Sequence, residues 1–124
     1  MNTTQSSDNS IILHKLYELY SKLYTAVKAL PKKDRYTLGV RMEQTALEIL
    51  ELALLARTKI GPSQLLILNK IDIKLKMLKL FIRLSAELKS LAGGTYAELE
   101  GRVLEIGRML GGWLKTAKGR DLRP

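Results

Sequence analysis

The chain has 124 residues, no cysteine and a formal charge of +9. That length suits one domain with a real core, and the absent cysteines exclude disulfides, thiolate nucleophiles and Cys-ligated metals. The charge favours a polyanionic partner, with nucleic acid ahead of an anionic membrane or an acidic protein.

The opening stretch, "MNTTQSSDNS", is polar and carries no basic region followed by an apolar one, so it does not read as a signal peptide. Residues 1–9 are expected to form a disordered tail. An apolar stripe then begins: Leu13, Leu16, Tyr20, Leu23, Val27 and Leu30 follow a 3,4,3,4,3 spacing that predicts an amphipathic helix. His14, the only histidine, stands beside apolar positions and reads as a partly exposed structural residue rather than a base or metal ligand.

Pro31 ends this segment. Lys32, Lys33, Arg35 and Arg41 crowd the adjoining turn and the first turns of a second helix. A helix N-terminus with Lys and Arg nearby suits a phosphate. Tyr36 offers a stacking face to a base, or packs inward. The second stripe is Met42, Ala46, Ile49, Ala53 and Ala56, with Leu50 and Leu54 widening it, while Glu43, Glu48 and Glu51 are spaced for a helix surface. Gly61-Pro62-Ser63 and Gly93-Gly94-Thr95 punctuate the second half of the chain, and Ser63 and Thr95 are available as N-caps.

Between those breaks runs "KIDIKLKMLKLFIR", whose first half alternates charged and apolar residues in the manner of a strand. The segment from Ser63 to about Ala92 has no internal Gly or Pro and is too long for a strand, which normally stops within about ten residues. At about 100° per residue the alternation resolves into two stripes on one helix. Leu68, Ile71, Leu75, Leu78 and Ile82 form the first, and Leu66, Ile73, Met77, Leu80, Leu84 and Leu88 the second, on nearly the opposite side. Lys76, Lys79 and Arg83 fill one flank, and Lys70 and Lys74 edge the other. The second stripe would expose several hundred Å² of apolar surface on a monomer. Burying it is worth on the order of ten kcal/mol before association costs, so it is the expected oligomer interface. The alternative is a central third helix with the bundle splayed around it.

The fourth segment repeats the heptad without a break: Tyr96, Leu99, Val103, Ile106, Leu110 and Trp113. Glu98, Glu100 and Glu105 fit its surface. Gly107 and Gly111 lie one turn apart and invite a close backbone approach, and Trp113 is placed to close the core. Arg102, Arg108, Lys115, Lys118, Arg120 and Arg123 make this region cationic, with only Glu105 and Asp121 against them, and residues 119–124 read as a basic tail. The expected fold is all-α: an up-down-up-down antiparallel four-helix bundle over residues 10–118, with helices of about 22 residues spanning about 33 Å.

Catalysis is not expected. No Glu-x-x-His pair, Walker-type loop or Ser/His/Asp set can be assembled, so no catalytic residue, metal or cofactor is assigned. No run of about eighteen apolar residues suggests a membrane span, and the cysteine-free composition suits a reducing cytoplasm.

Residues 31–41, with Arg35-Tyr36 and Leu38-Gly39, resemble the helix-two entry of a family of small four-helix bundles. That family takes in proteins encoded in 23S ribosomal RNA intervening sequences and Avd, the accessory variability determinant of diversity-generating retroelements. "IGRMLGGWLK", Ile106 to Lys115, is similar to the last helix of the Avd-type branch. The resemblance covers residues 11–118. It implies a non-catalytic homopentamer that associates with a reverse transcriptase and its template RNA, supporting mutagenic complementary-DNA synthesis and retrohoming. It further implies that Arg35, Arg41 and Arg108 face polyanion or polymerase and that Gly39, Gly107 and Gly111 are structural.

The sequence therefore leads to an oligomeric accessory protein binding RNA or DNA without sequence preference. The candidate contacts are Lys32, Lys33, Arg35, Arg41, Lys76, Lys79, Arg83, Arg108, Lys115 and Lys118. The rival expectation is an oligomeric protein-interaction scaffold with no nucleic-acid role.

Overall fold

The computed structural model describes the backbone of residues 3–121 and the side chains of residues 10–119. Four long helices account for nearly all of it: α1 (Thr3–Lys28), α2, α3 (Gly61–Glu87) and α4 (Gly93–Asp121). Helix α2 is built from three consecutive pieces, a first turn Lys32–Asp34, a π-helical turn Arg35–Gly39 and the regular stretch Val40–Ala56. Helical backbone begins at Thr3, within the expected N-terminal tail, whose side chains lie outside the described residues. The end of the expected C-terminal tail, residues 122–124, lies outside them too.

Local chemistry explains where each helix starts and stops. Pro31 has φ −54° and ψ 147°, and its carbonyl accepts from the amides of Asp34 and Arg35, so α2 starts as soon as the proline has turned the chain. The π turn brings Gly39 against α1, where a Cβ would lie 2.7 Å from Val27 Cγ1. Ser63 and Thr95 are not caps. Ile60, in extended conformation, precedes α3, and Pro62 falls in its first turn, where a missing N–H costs nothing. Ser63 is therefore already helical, as is Thr95, because α4 starts at Gly93. Helix α3 ends at a left-handed residue, Lys89, with φ 61°. The Ser90 amide donates to the Ser85 carbonyl and the Lys89 amide to that of Ala86, the paired bonds of a Schellman ending.

The stripes meet in one core. Met42, Ala46, Ile49, Ala53 and Ala56 of α2, Leu68, Ile71, Leu75, Leu78 and Ile82 of α3, and Leu99, Val103, Ile106, Leu110 and Trp113 of α4 are all buried. In α1 the buried set is Ile12, Leu16, Leu19, Leu23, Ala26, Val27 and Leu30, so Leu13 and Tyr20 only flank the core. Leu54 does not join the buried face of α2; it is 58% exposed, at the edge of a groove toward α1. Each helix packs on its neighbours in sequence, and α1 also packs on α4. Along that last seam Lys15 meets Glu105, Arg102 meets Glu18 and Lys22 meets Glu98, rising numbers against falling ones. Among the described residues no helix is long and apolar enough to cross a membrane.

Candidate nucleic-acid interface

The ten candidate basic residues fall into three places. Lys32, Lys33, Arg35 and Arg41 sit at the start of α2, beside the α3–α4 connection, to which Ser90 Oγ ties them by donating to Asp34 Oδ2. Lys76 and Lys79 on α3 and Arg108 on α4 line one shallow groove with Asp72 and Gly107. Lys115 and Lys118 lie far along α4, where a rise of about 1.5 Å per residue carries them about 33 and about 38 Å from Gly93. The two constellations prominent in the sequence therefore stand near opposite ends of the molecule, and the groove lies between them.

At the α2 start, Lys32, Lys33 and Arg41 are exposed, and Tyr36 is 65% exposed. Inward packing of Tyr36 is thereby excluded. The helix direction is responsible: Gly39, not Tyr36, takes the position against α1. Arg35 is half-buried and donates from Nη2 to the Leu30 carbonyl at 3.2 Å, tying α2 to the end of α1. Arg41 lies over the Phe81 ring, 5.1 Å from its centroid, a cation–π contact that holds the guanidinium against α3.

In the groove, Lys76 Nζ is 2.9 Å from Asp72 Oδ2, an exposed i,i+4 pair that water screens almost completely. Lys79 is half-buried and Arg108 exposed, and neither makes an ion pair among the described residues. Arg83 continues the row toward Tyr96, whose hydroxyl donates to Glu100 Oε2 at 2.9 Å. That hydrogen bond is the main cause that raises the Tyr96 phenol above its ordinary pKa, and the nearby Arg83 pulls the other way. Successive cations one helical turn apart, about 5–6 Å at Cβ, make a row that suits a line of phosphates rather than a single anion.

Several charges elsewhere are already matched. Arg102 pairs with both Glu18 and Glu98, Lys15 with Glu105, Lys22 with Glu98 and Lys74 with Glu48. Helix α1 thus supplies one carboxylate to the cationic C-terminal run, Glu18 to Arg102, while its Lys15 and Lys22 take up Glu105 and Glu98 of α4, pairings that sequence proximity does not reveal. The close backbone approach expected at Gly107 and Gly111 is also absent within the chain. A Cβ at Gly107 would make an ordinary contact with Leu75 Cδ2 at 3.8 Å, and one at Gly111 would meet nothing, because that face of α4 points outward. Lys28, whose Nζ sits 4.6 Å above the Tyr24 ring, and the exposed Arg57, Lys59 and Lys89 escaped the sequence reading as isolated cations with no local pattern.

The expected interface stripe keeps its separate character. Leu66, Ile73 and Leu80 are each 60% exposed, Leu84 and Leu88 are exposed and Met77 half-buried, while the opposite stripe of α3 is buried. The alternative of a centrally placed third helix does not hold in the single chain.

A fold of four helices with this basic row agrees with a direct comparison, in which residues 10–117 match the family model described as bAvd-like. The chain belongs to the bAvd-like family. No curated protein is significantly similar to it. The bAvd-like span takes in the α2 start, the α3–α4 groove and the exposed α3 stripe, and ends one residue before Lys118. Among the described residues no three His, Cys, Asp or Glu side chains gather as a metal site.

Proposed function

We propose that this protein is a non-enzymatic accessory factor of a diversity-generating retroelement. On this reading it assembles as a homopentamer of up-down-up-down four-helix protomers and works in the cytoplasm. It binds template RNA or complementary DNA together with the reverse transcriptase, supporting mutagenic retrohoming. The observation that carries the reading is membership of the bAvd-like family over residues 10–117. Two features support it: the +9 charge, of which Lys79, Arg83 and Arg108 and the α2 start carry a part that no carboxylate pairs among the described residues, and the apolar α3 stripe open to water. The stripe equally suits a pure protein scaffold, and nucleic-acid titration separates the two.

Binding of mixed-sequence single-stranded RNA, measured by fluorescence anisotropy, is expected to weaken by roughly 10²-fold or more between about 50 and 200 mM salt, through loss of counterion release. Replacing Lys76, Lys79 and Arg108 together with alanine is expected to lower the log–log salt slope by about 2, at about 0.7 per phosphate contact on a single strand. An affinity indifferent to salt refutes the nucleic-acid role. Failure of the protein to co-purify with a reverse transcriptase encoded beside it refutes the polymerase partnership.

A further inference from the structure

The shallow groove between α3 and α4 joins two kinds of surface. Its rim is cationic, with Lys76, Lys79 and Arg108. Its floor is aliphatic: Leu75 and Val103 are buried and Leu104 is 41% exposed. Asp72 also lines the groove, but its carboxylate is 2.9 Å from Lys76 Nζ, so that pair carries no net charge. Lys79 and Arg108, which no carboxylate pairs among the described residues, set the sign. The volume is about 300 Å³, at the lower end for sites that hold small organic groups. Phosphates need only the rim, which leaves the floor without a use. Gly107 stands in the same wall. Glycine is the poorest helix former after proline, and nothing inside the chain requires it here, since a Cβ would make an ordinary contact with Leu75 Cδ2 at 3.8 Å. Its bare backbone keeps the groove open to a group arriving from outside.

We infer that this groove seats one unpaired base of a single-stranded nucleic acid, with Lys79 on a flanking phosphate and the Arg108 guanidinium stacked on the base. The inference rests on the proposed nucleic-acid role and deepens it. A base presents a flat, largely apolar face, and aliphatic side chains beside a stretch of bare helix backbone let that face leave water. No aromatic ring lines the groove, so the covering plane comes from Arg108, which is exposed and unpaired; guanidinium planes stack on unpaired bases much as aromatic rings do. A duplex keeps its bases paired and offers phosphates alone, so it gains the rim and forfeits the floor.

Fluorescence anisotropy on the full chain tests this with single-stranded dodecamers of mixed sequence and with strands of equal length in which abasic sugars replace every base. The phosphates are then equal in number. The abasic strand is expected to bind about tenfold more weakly, in the ribose and the deoxyribose series alike, because the floor meets the base and not the sugar. Gly107→Leu, which fills the groove, is expected to bring the ratio of the two affinities close to one. Gly107→Ala is expected to lower the ratio while its melting temperature equals or exceeds that of wild type, since alanine favours the helix; a merely structural glycine would not lose affinity for bases as the fold gained stability. Equal binding of the two strands by the wild-type protein overturns the base seat and leaves the phosphate row standing. A ratio that Gly107→Ala and Gly107→Leu both leave unmoved overturns it too. Binding of neither strand removes the nucleic-acid reading itself.

Discussion

Lys89 holds a backbone conformation, φ 61°, that costs an L-residue with a Cβ roughly 1–2 kcal/mol. Glycine adopts it freely, so Lys89→Gly is expected to raise stability by about 0.5–1 kcal/mol in urea denaturation, where the Schellman bonds stay intact. Gly39 is the reverse case. A methyl group there lies 2.7 Å from buried Val27, and Gly39→Ala is expected to destabilise by about 1–3 kcal/mol through overpacking. Gly111→Ala meets open space and is expected to stabilise by up to about 1 kcal/mol. None of these signs was legible in the sequence. "LGVR" does not announce a π turn, because the contact that demands glycine comes from α1. Ser63 and Thr95 had the chemistry of caps, but the helices begin earlier, at glycines the sequence reads as breakers.

Helix α3 shows how far periodicity reaches. Its two stripes were separable at 100° per residue, and burial tracks them residue by residue, because an apolar side chain on one helix can face only one direction. Ile71 is 1% exposed and Ile73 60%. Ile71→Ala is therefore expected to cost about 2–5 kcal/mol, and Ile73→Ala within about 0.5 kcal/mol, when both are measured as monomer unfolding. A comparable loss at the two positions contradicts the two-faced helix. At the start of α4 the Tyr96–Glu100 hydrogen bond favours the neutral phenol. A pKa raised on folding contributes stability below the ordinary tyrosine value and loses it as pH climbs past the folded one. Wild type is thus expected to lose more stability than Tyr96→Phe on alkaline titration. Ion pairs such as Arg102 with Glu18 were beyond sequence reading, since they join helices distant along the chain.

For the whole molecule, composition indicated a polyanion partner but not its track. The sequence grouped cations by proximity along the chain and so singled out the α2 start and the C-terminal run. Folding places these far apart and sets Lys76, Lys79 and Arg108, from two separate helices, side by side. Helix α1 meanwhile neutralises Arg102.

The distance between the two terminal basic groups sets a minimum length for any ligand that would touch both. Along α4 the rise from Gly93 to Lys115 and Lys118 is about 33–38 Å, and at about 3.4 Å per stacked nucleotide that corresponds to roughly ten or eleven. A trinucleotide reaches one group at a time, and a dodecamer laid lengthwise is long enough to reach both while crossing the groove. Affinity is expected to climb abruptly near that size rather than smoothly with charge, the mark of tethered, multivalent contact.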